Sequence, residues 1–213
     1  HCLNSRDNDN IIDQLIAPFV PLCRDYILEK GKHTVALTAA INLFNQFINL
    51  KSLYPFAGDL QGLLQKLFTF ILKGSSGNPE AAAQLSAAFK LTSTLIRDWP
   101  DLQVTDTQIK ALIEYTRLQL DNPHHQSLTF SLIRSLISRQ VVLLQLFELM
   151  ATVRTVMLTS HQAGTRQQCR AVYIHFLTAY PMATRKLEDE LDFLLVNVRY
   201  EFPTGRQSCI EAM

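Results

Sequence analysis

Glycine and proline are scarce in this 213-residue chain, which carries seven of the first and eight of the second, where average usage would supply about 15 and about 11. That shortage excludes collagen-like and low-complexity chains and speaks against turn-rich all-β folds. An excess of charge of one sign is missing as well. Lys and Arg number 20 against 19 Asp and Glu, a net charge of +1, so the overall balance selects no nucleic acid, membrane or acidic substrate. The four cysteines, Cys2, Cys23, Cys169 and Cys209, form no C-x-x-C pair and no zinc-like spacing; a reduced, intracellular chain is the expectation. The most apolar window, Val141 to Leu158, contains Glu148 and Arg154, and an ionised group costs about 2.5–3.5 kcal/mol at a bilayer centre. No membrane partner is expected. Nor is there a glycine-rich phosphate loop, a G-x-S-x-G elbow or an H-E-x-x-H pair, so neither enzyme activity, cofactor, metal nor small-molecule substrate is expected. The start at His1 without a secretory signal pattern, and the end at Met213 shortly after a new helix opens, read as a segment of a longer protein.

What the chain does have is apolar residues at helical spacing. Leu37, Ile41, Phe44 and Ile48 share one face; so do Ile109, Leu112, Ile113, Thr116 and Leu120; so do Cys169, Val172, Tyr173, Phe176, Leu177 and Tyr180; and so do Leu187, Leu191, Leu194, Leu195 and Val198. This 3.6-residue period predicts helices throughout and no strand. Start signals divide them. Asn78-Pro79 and Asn122-Pro123 place a capping side chain before a proline at the first helical position, and Thr105 to Gln108 and Thr165 to Gln168 fit the capping box. The expected helices run over 10–28, 33–50, 57–73, 79–98, 105–120, 123–138, 141–160, 165–179 and 184–199, with a tenth opening near Pro203.

Three even-numbered helices run into an aromatic-proline step: Tyr54-Pro55, Trp99-Pro100 and Tyr180-Pro181. The spacing of 45 and then 81 residues, the second close to twice 40, matches the 40–47-residue helix-pair unit of HEAT and armadillo arrays, with one step replaced by Arg139-Gln140-Val141. The proline forbids continuation of the helix and turns the chain into the next pair. The fold expected is therefore all-α, a HEAT/armadillo-like α-solenoid of about five antiparallel helix pairs, with residues 1–213 forming a segment of one continuous array.

Chemistry-bearing residues are few. His124 and His125 are adjacent on a helix start and point different ways; His175 reads as a boundary residue and Cys169 as a small buried hydrophobe. Glu188, Asp189, Glu190 and Asp192 lie in early turns of a helix, where negative charge is favourable, and a solvated face is expected of them. The informative charge is local. Between Asp121 and Glu188 stand Arg134, Arg139, Arg154, Arg166, Arg170, Arg185 and Lys186 against a lone Glu148. Guanidinium forks suit phosphate or carboxylate, so these residues, with Arg206, are candidate contacts for RNA or an acidic partner; the alternative is that they bond helix-end carbonyls or stack within the array. Gly205, before Arg206, favours close packing of a neighbouring helix or backbone.

The run Gln168-Cys169-Arg170, Tyr173 to Tyr180-Pro181, Leu191-Asp192-Phe193-Leu194-Leu195, Arg199-Tyr200-Glu201, Thr204-Gly205-Arg206 and Ser208 resembles the small subunit processome component 20 homologs, the down-regulated-in-metastasis family. Leu136-Ile137-Ser138-Arg139 is a further local match, while Met182-Ala183 departs from the Leu-Gly that the family places after Tyr-Pro. The resemblance implies a very long HEAT-repeat scaffold of the nucleolus, without known catalytic residues, in the 90S pre-ribosome where a box C/D small nucleolar ribonucleoprotein directs early cleavage of the small-subunit rRNA precursor. Its implied partners are pre-ribosomal proteins of the small-subunit processome, with pre-rRNA or small nucleolar RNA as a further candidate. The competing expectation is a HEAT-repeat protein-cargo or kinase-scaffold module that touches no RNA.

Overall fold

A computed structural model describes residues 15–29, 33–73, 79–120 and 126–213. Among them stand ten α-helices, one 3-10 helix and no strand. The helices are α1 (Phe19–Glu29), α2 (Thr34–Phe47), α3 (Leu60–Lys73), α4 (Pro79–Asp98), α5 (Asp106–Gln119), α6 (Gln126–Ser138), α7 (Leu144–Thr159), α8 (Ala163–Ala179), α9 (Thr184–Asn197) and α10 (Pro203–Ile210), with the 3-10 helix over Lys51–Phe56. The all-α, solenoid-like fold expected from the periodicity is the one observed. Two compact units divide at Gln103–Val104.

In the first unit α1 packs on α2 and on α3, α2 on α4, and α3 on α4. Two helix pairs thus stack, first helix on first and second on second, which is how repeats that cannot bury their apolar faces alone build a continuous core. Leu37, Ile41, Phe44 and Ile48 are all buried, together with Phe68 and Phe89. The second unit repeats the pattern: α5 packs on α6 and α7, α6 on α8, and α7 on α8. Here Ile109, Leu112, Ile113 and Leu120 from α5 and its end, Phe130 and Ile133 from α6, and Cys169, Val172, Tyr173 and Phe176 from α8 are buried. The last pair differs, because α10 packs against α7, α8 and α9.

The start signals fare unequally. Thr105 and Gln108 form the expected capping box: the Gln108 amide N–H donates to Thr105 Oγ1 (3.3 Å) and the Thr105 N–H to Gln108 Oε1 (2.9 Å). The box expected at Thr165 is not formed. Helix α8 opens earlier, at Ala163, with Gln162 as its N-cap, and Thr165 is buried inside the first turn, where its hydroxyl meets the side chains of Gln126 and Gln162. A threonine facing the core is taken up by neighbours before it can cap. Helix α4 begins at Pro79 as expected; Asn78, the Asn122-Pro123 pair, His124 and His125 lie outside the described residues, as does Cys2.

The aromatic-proline steps stand between successive pairs. Tyr54 and Trp99, from consecutive steps, meet ring to ring with centroids 4.5 Å apart, and Gln61 bridges to the second step by accepting from the Gln103 N–H (2.8 Å) and donating to the Gln103 carbonyl (3.0 Å). The step without an aromatic or proline turns by other means. Gln140 takes a left-handed φ of 53°, ending α6 as a glycine would, and the Tyr180 hydroxyl from the next step donates to the Val141 carbonyl (2.7 Å).

Candidate nucleic-acid interface

The eight candidate cations occupy several separate places. Arg154 on α7 donates to the Glu190 carboxylate of α9 at 2.6 Å, and its guanidinium lies 4.3 Å from the centroid of the Phe193 ring. Lys186 reaches the other oxygen of Glu190 at 3.2 Å and sits 5.6 Å over Phe147. The Tyr173 hydroxyl donates to the same carboxylate at 2.9 Å. Glu190 is only 3% exposed, so the solvated face expected of the acidic cluster holds for Glu188, Asp189 and Asp192 but not for Glu190. Two cations and a phenol converge on it, and that compensation is what permits a carboxylate at this depth. Burial, and then the Glu190 charge, push the Tyr173 phenol well above its ordinary range.

Other arginines bond helix-end carbonyls, as the alternative reading anticipated. Arg166 Nη1 donates to the Ser160 carbonyl (2.8 Å) at the end of α7. Arg206 Nη1 donates to the Tyr200 and Glu201 carbonyls (2.9 and 3.0 Å). Arg134 spans from α6 to Gln168 on α8 (2.8 Å). Arg139 is half-buried past the end of α6 and has an interaction partner of its own. Arg185 is exposed and bonds to no group among the described residues. Gly205 acts as expected: a Cβ there would lie 2.8 Å from the Leu158 carbonyl oxygen and 2.5 Å from the Tyr200 ring, so its absence lets α10 settle onto α7.

Arg166 and Arg170 are brought together in a cleft of about 240 Å³ between α8 and α10, whose wall also includes Gln167, Thr204, Gln207 and Glu211. Arg170 is ion-paired with Glu211. The α10 members of this cleft escaped the sequence reading because Glu211 follows the basic stretch by more than 20 residues; the one available signal was the Gln207–Glu211 spacing of one helical turn.

A second opening is apolar. The fourth hydrophobic stripe is buried only at Leu194; Leu191 and Leu195 are 43% and 58% exposed. Together with Ile174, Leu177, Leu187 and Met213 they line a groove of about 480 Å³. Helix α9 is held through Glu190, Leu194 and α10, which leaves its stripe open. His175 lies at the boundary, 3.3 Å from the Ser138 hydroxyl, and Cys169 is fully buried. Among the described residues no cluster of His, Cys, Asp or Glu could hold a metal ion, and no helix is long and apolar enough to cross a membrane.

No model of a known protein family matches the chain. Similarity to individual proteins is extensive. The U3 small nucleolar RNA-associated protein 20 of Schizosaccharomyces pombe is 28% identical over 198 residues, and that of Saccharomyces cerevisiae 27% over 194. These alignments cover 93% and 91% of this chain but only 8% of either relative's length. The similarity to these two proteins therefore extends along nearly the whole chain, beyond the residues from Gln168 to Ser208 that carry the resemblance read from the sequence.

Proposed function

We propose that this chain is a scaffold segment of a nucleolar small-subunit processome component, acting in ribosome biogenesis by holding pre-ribosomal proteins and RNA in position while the 18S rRNA precursor is processed. The observation that carries this reading is similarity over more than nine-tenths of the chain to two proteins named for association with U3 small nucleolar RNA. The stacked helix pairs support it, since such repeats offer extended surfaces and a rigid register in place of a single reactive pocket. The role proposed is non-catalytic: Arg154, Lys186, Arg166, Arg170 and Arg206 are engaged in carboxylate and carbonyl contacts that fix helices. Cations distributed along α6 to α10 would supply the electrostatic part of RNA binding.

A second reading, a protein-binding module that touches no RNA, is favoured by the open groove along Leu191 and Leu195. One experiment separates the two. The full-length protein is crosslinked in cells and the bound RNA sequenced, with crosslinked peptides mapped onto residues 134–206. Crosslinks to pre-rRNA or U3 RNA are expected there; copurified cargo proteins with no rRNA crosslink anywhere would overturn the processome reading.

A further inference from the structure

The cleft between α8 and α10 has the donors of an anion site and already contains an anion. Arg170 Nη1 and Gln207 Nε2, from different helices, both point at the Glu211 carboxylate, the amide at 2.7 Å. Arg166 and the exposed Thr204 line the same space. The Arg170 guanidinium thus meets the carboxylate, Arg166, whose Nη1 donates to the Ser160 carbonyl, lines the same wall, and the first turn of α8 contains no acidic residue to balance the two charges. The Glu211 side chain is 38% exposed and that of Arg170 is 23% exposed, so the carboxylate can swing into water by side-chain rotation alone while the guanidinium stays in the wall.

We propose that this cleft binds a backbone phosphodiester of RNA, and that Glu211 occupies the phosphate's place on Arg170 and Gln207 until RNA displaces it. This rests on the RNA-contacting reading of the scaffold given above. A phosphodiester offers two non-bridging oxygens at the spacing a guanidinium fork accepts, so the exchange keeps the Arg170 and Gln207 bonds and adds the charge of Arg166, which Glu211 does not neutralise. Glu211 therefore acts as an internal competitor that lowers the apparent affinity of the site by the fraction of time it is bound.

The sign of one substitution tests this. The full-length protein is photo-crosslinked to a single-stranded 20-nucleotide RNA containing 4-thiouridine, and the crosslink yield is quantified by mass spectrometry at peptides carrying residues 163–170 and 203–211. Glu211→Gln is expected to raise the yield at these peptides about three-fold or more, because the competitor charge is gone. Arg170→Gln lowers it, Arg170→Lys restores part of it, and Glu211→Gln added to Arg170→Gln gives no gain; each lost cation also reduces the salt slope by about 1. A Glu211→Gln yield that is unchanged or lower would overturn the competitor assignment and leave Glu211 a structural partner. RNA crosslinks elsewhere on the protein, with this cleft silent in every variant, would overturn the cleft while leaving the scaffold reading intact; absence of RNA crosslinks throughout would remove both.

Discussion

Replacing Glu190 tests how the last helix pair is held. The Glu190 side chain is 4% exposed, Arg154 24% and Lys186 39%. Removing one member of a buried pair costs about 3–5 kcal/mol, because the remaining charge loses its partner, while an ion pair as open to water as that of Lys186 contributes under about 1 kcal/mol. Glu190→Ala should therefore sit near the lower end, about 3 kcal/mol, concentrated on α9. Hydrogen exchange is the appropriate assay, since it reads the opening of single elements. At 1.36 kcal/mol per tenfold, the amides of Thr184–Asn197 should lose about two powers of ten in protection, with α2 and α4 unaffected. In a double-mutant cycle with Arg154→Met, which keeps a long side chain against Phe193, a coupling of about 1–3 kcal/mol is expected. It should survive 1 M salt, where exposed pairs are screened out. Unchanged α9 protection, or a coupling of zero, would show that Leu194 and the α10 contact hold the helix without the ion pairs. The Glu190→Leu/Arg154→Met pair should recover much of the loss, because an apolar replacement of both partners leaves no buried charge; the Tyr173 hydroxyl keeps a bond to the Glu190 backbone carbonyl at 3.2 Å.

Three further outcomes are expected. Gly205→Ala forces a methyl against the Leu158 carbonyl and the Tyr200 ring, an overpacking cost of about 1–3 kcal/mol that calorimetry would register as a lower Tm and that an unchanged melt would contradict. Gln140→Gly relieves a left-handed backbone and should stabilise by about 1 kcal/mol, seen as a Tm rise of a few degrees; a fall would mean that the Gln140 side chain matters more than its φ. Burial raises the phenol pKa of Tyr54, Tyr115, Tyr173 and Tyr180. The folded chain therefore keeps protons that the unfolded chain releases above about pH 10. Stability from these groups is full below that pH and is lost as pH rises beyond it; in urea titrations from pH 9 to 11, Tyr173→Phe should show the shallower decline.

Most of the fold was legible because helix formation and burial follow local rules. The stripes on α2, α5 and α8 are core, and Pro79 and Pro203 open helices where a missing N–H costs nothing. What escaped was set by neighbours distant in sequence. Thr165 carries a capping signature, but it faces Gln126, 39 residues away, and the helix begins before it. The α9 stripe has the right period, yet burial needs a facing surface, and periodicity says nothing about whether one is present. The candidate site was legible in composition and not in arrangement. A run of arginines announced cationic chemistry, while their partners Ser160, Gln168, Glu190 and Glu211 decide which guanidinium groups are left to meet anything else.

Gln140 turns the chain between α6 and α7 with neither proline nor aromatic, and the Tyr180 hydroxyl ties down the following carbonyl. The unit that recurs here is a bend in the backbone, and residue types are interchangeable ways of making it. Any search that counts residues will see a gap at this point, whereas one that counts turns will find a bend here as it does at Tyr180. Divergent copies of such a protein can therefore lose their recognisable letters one step at a time and still keep every helix in its place.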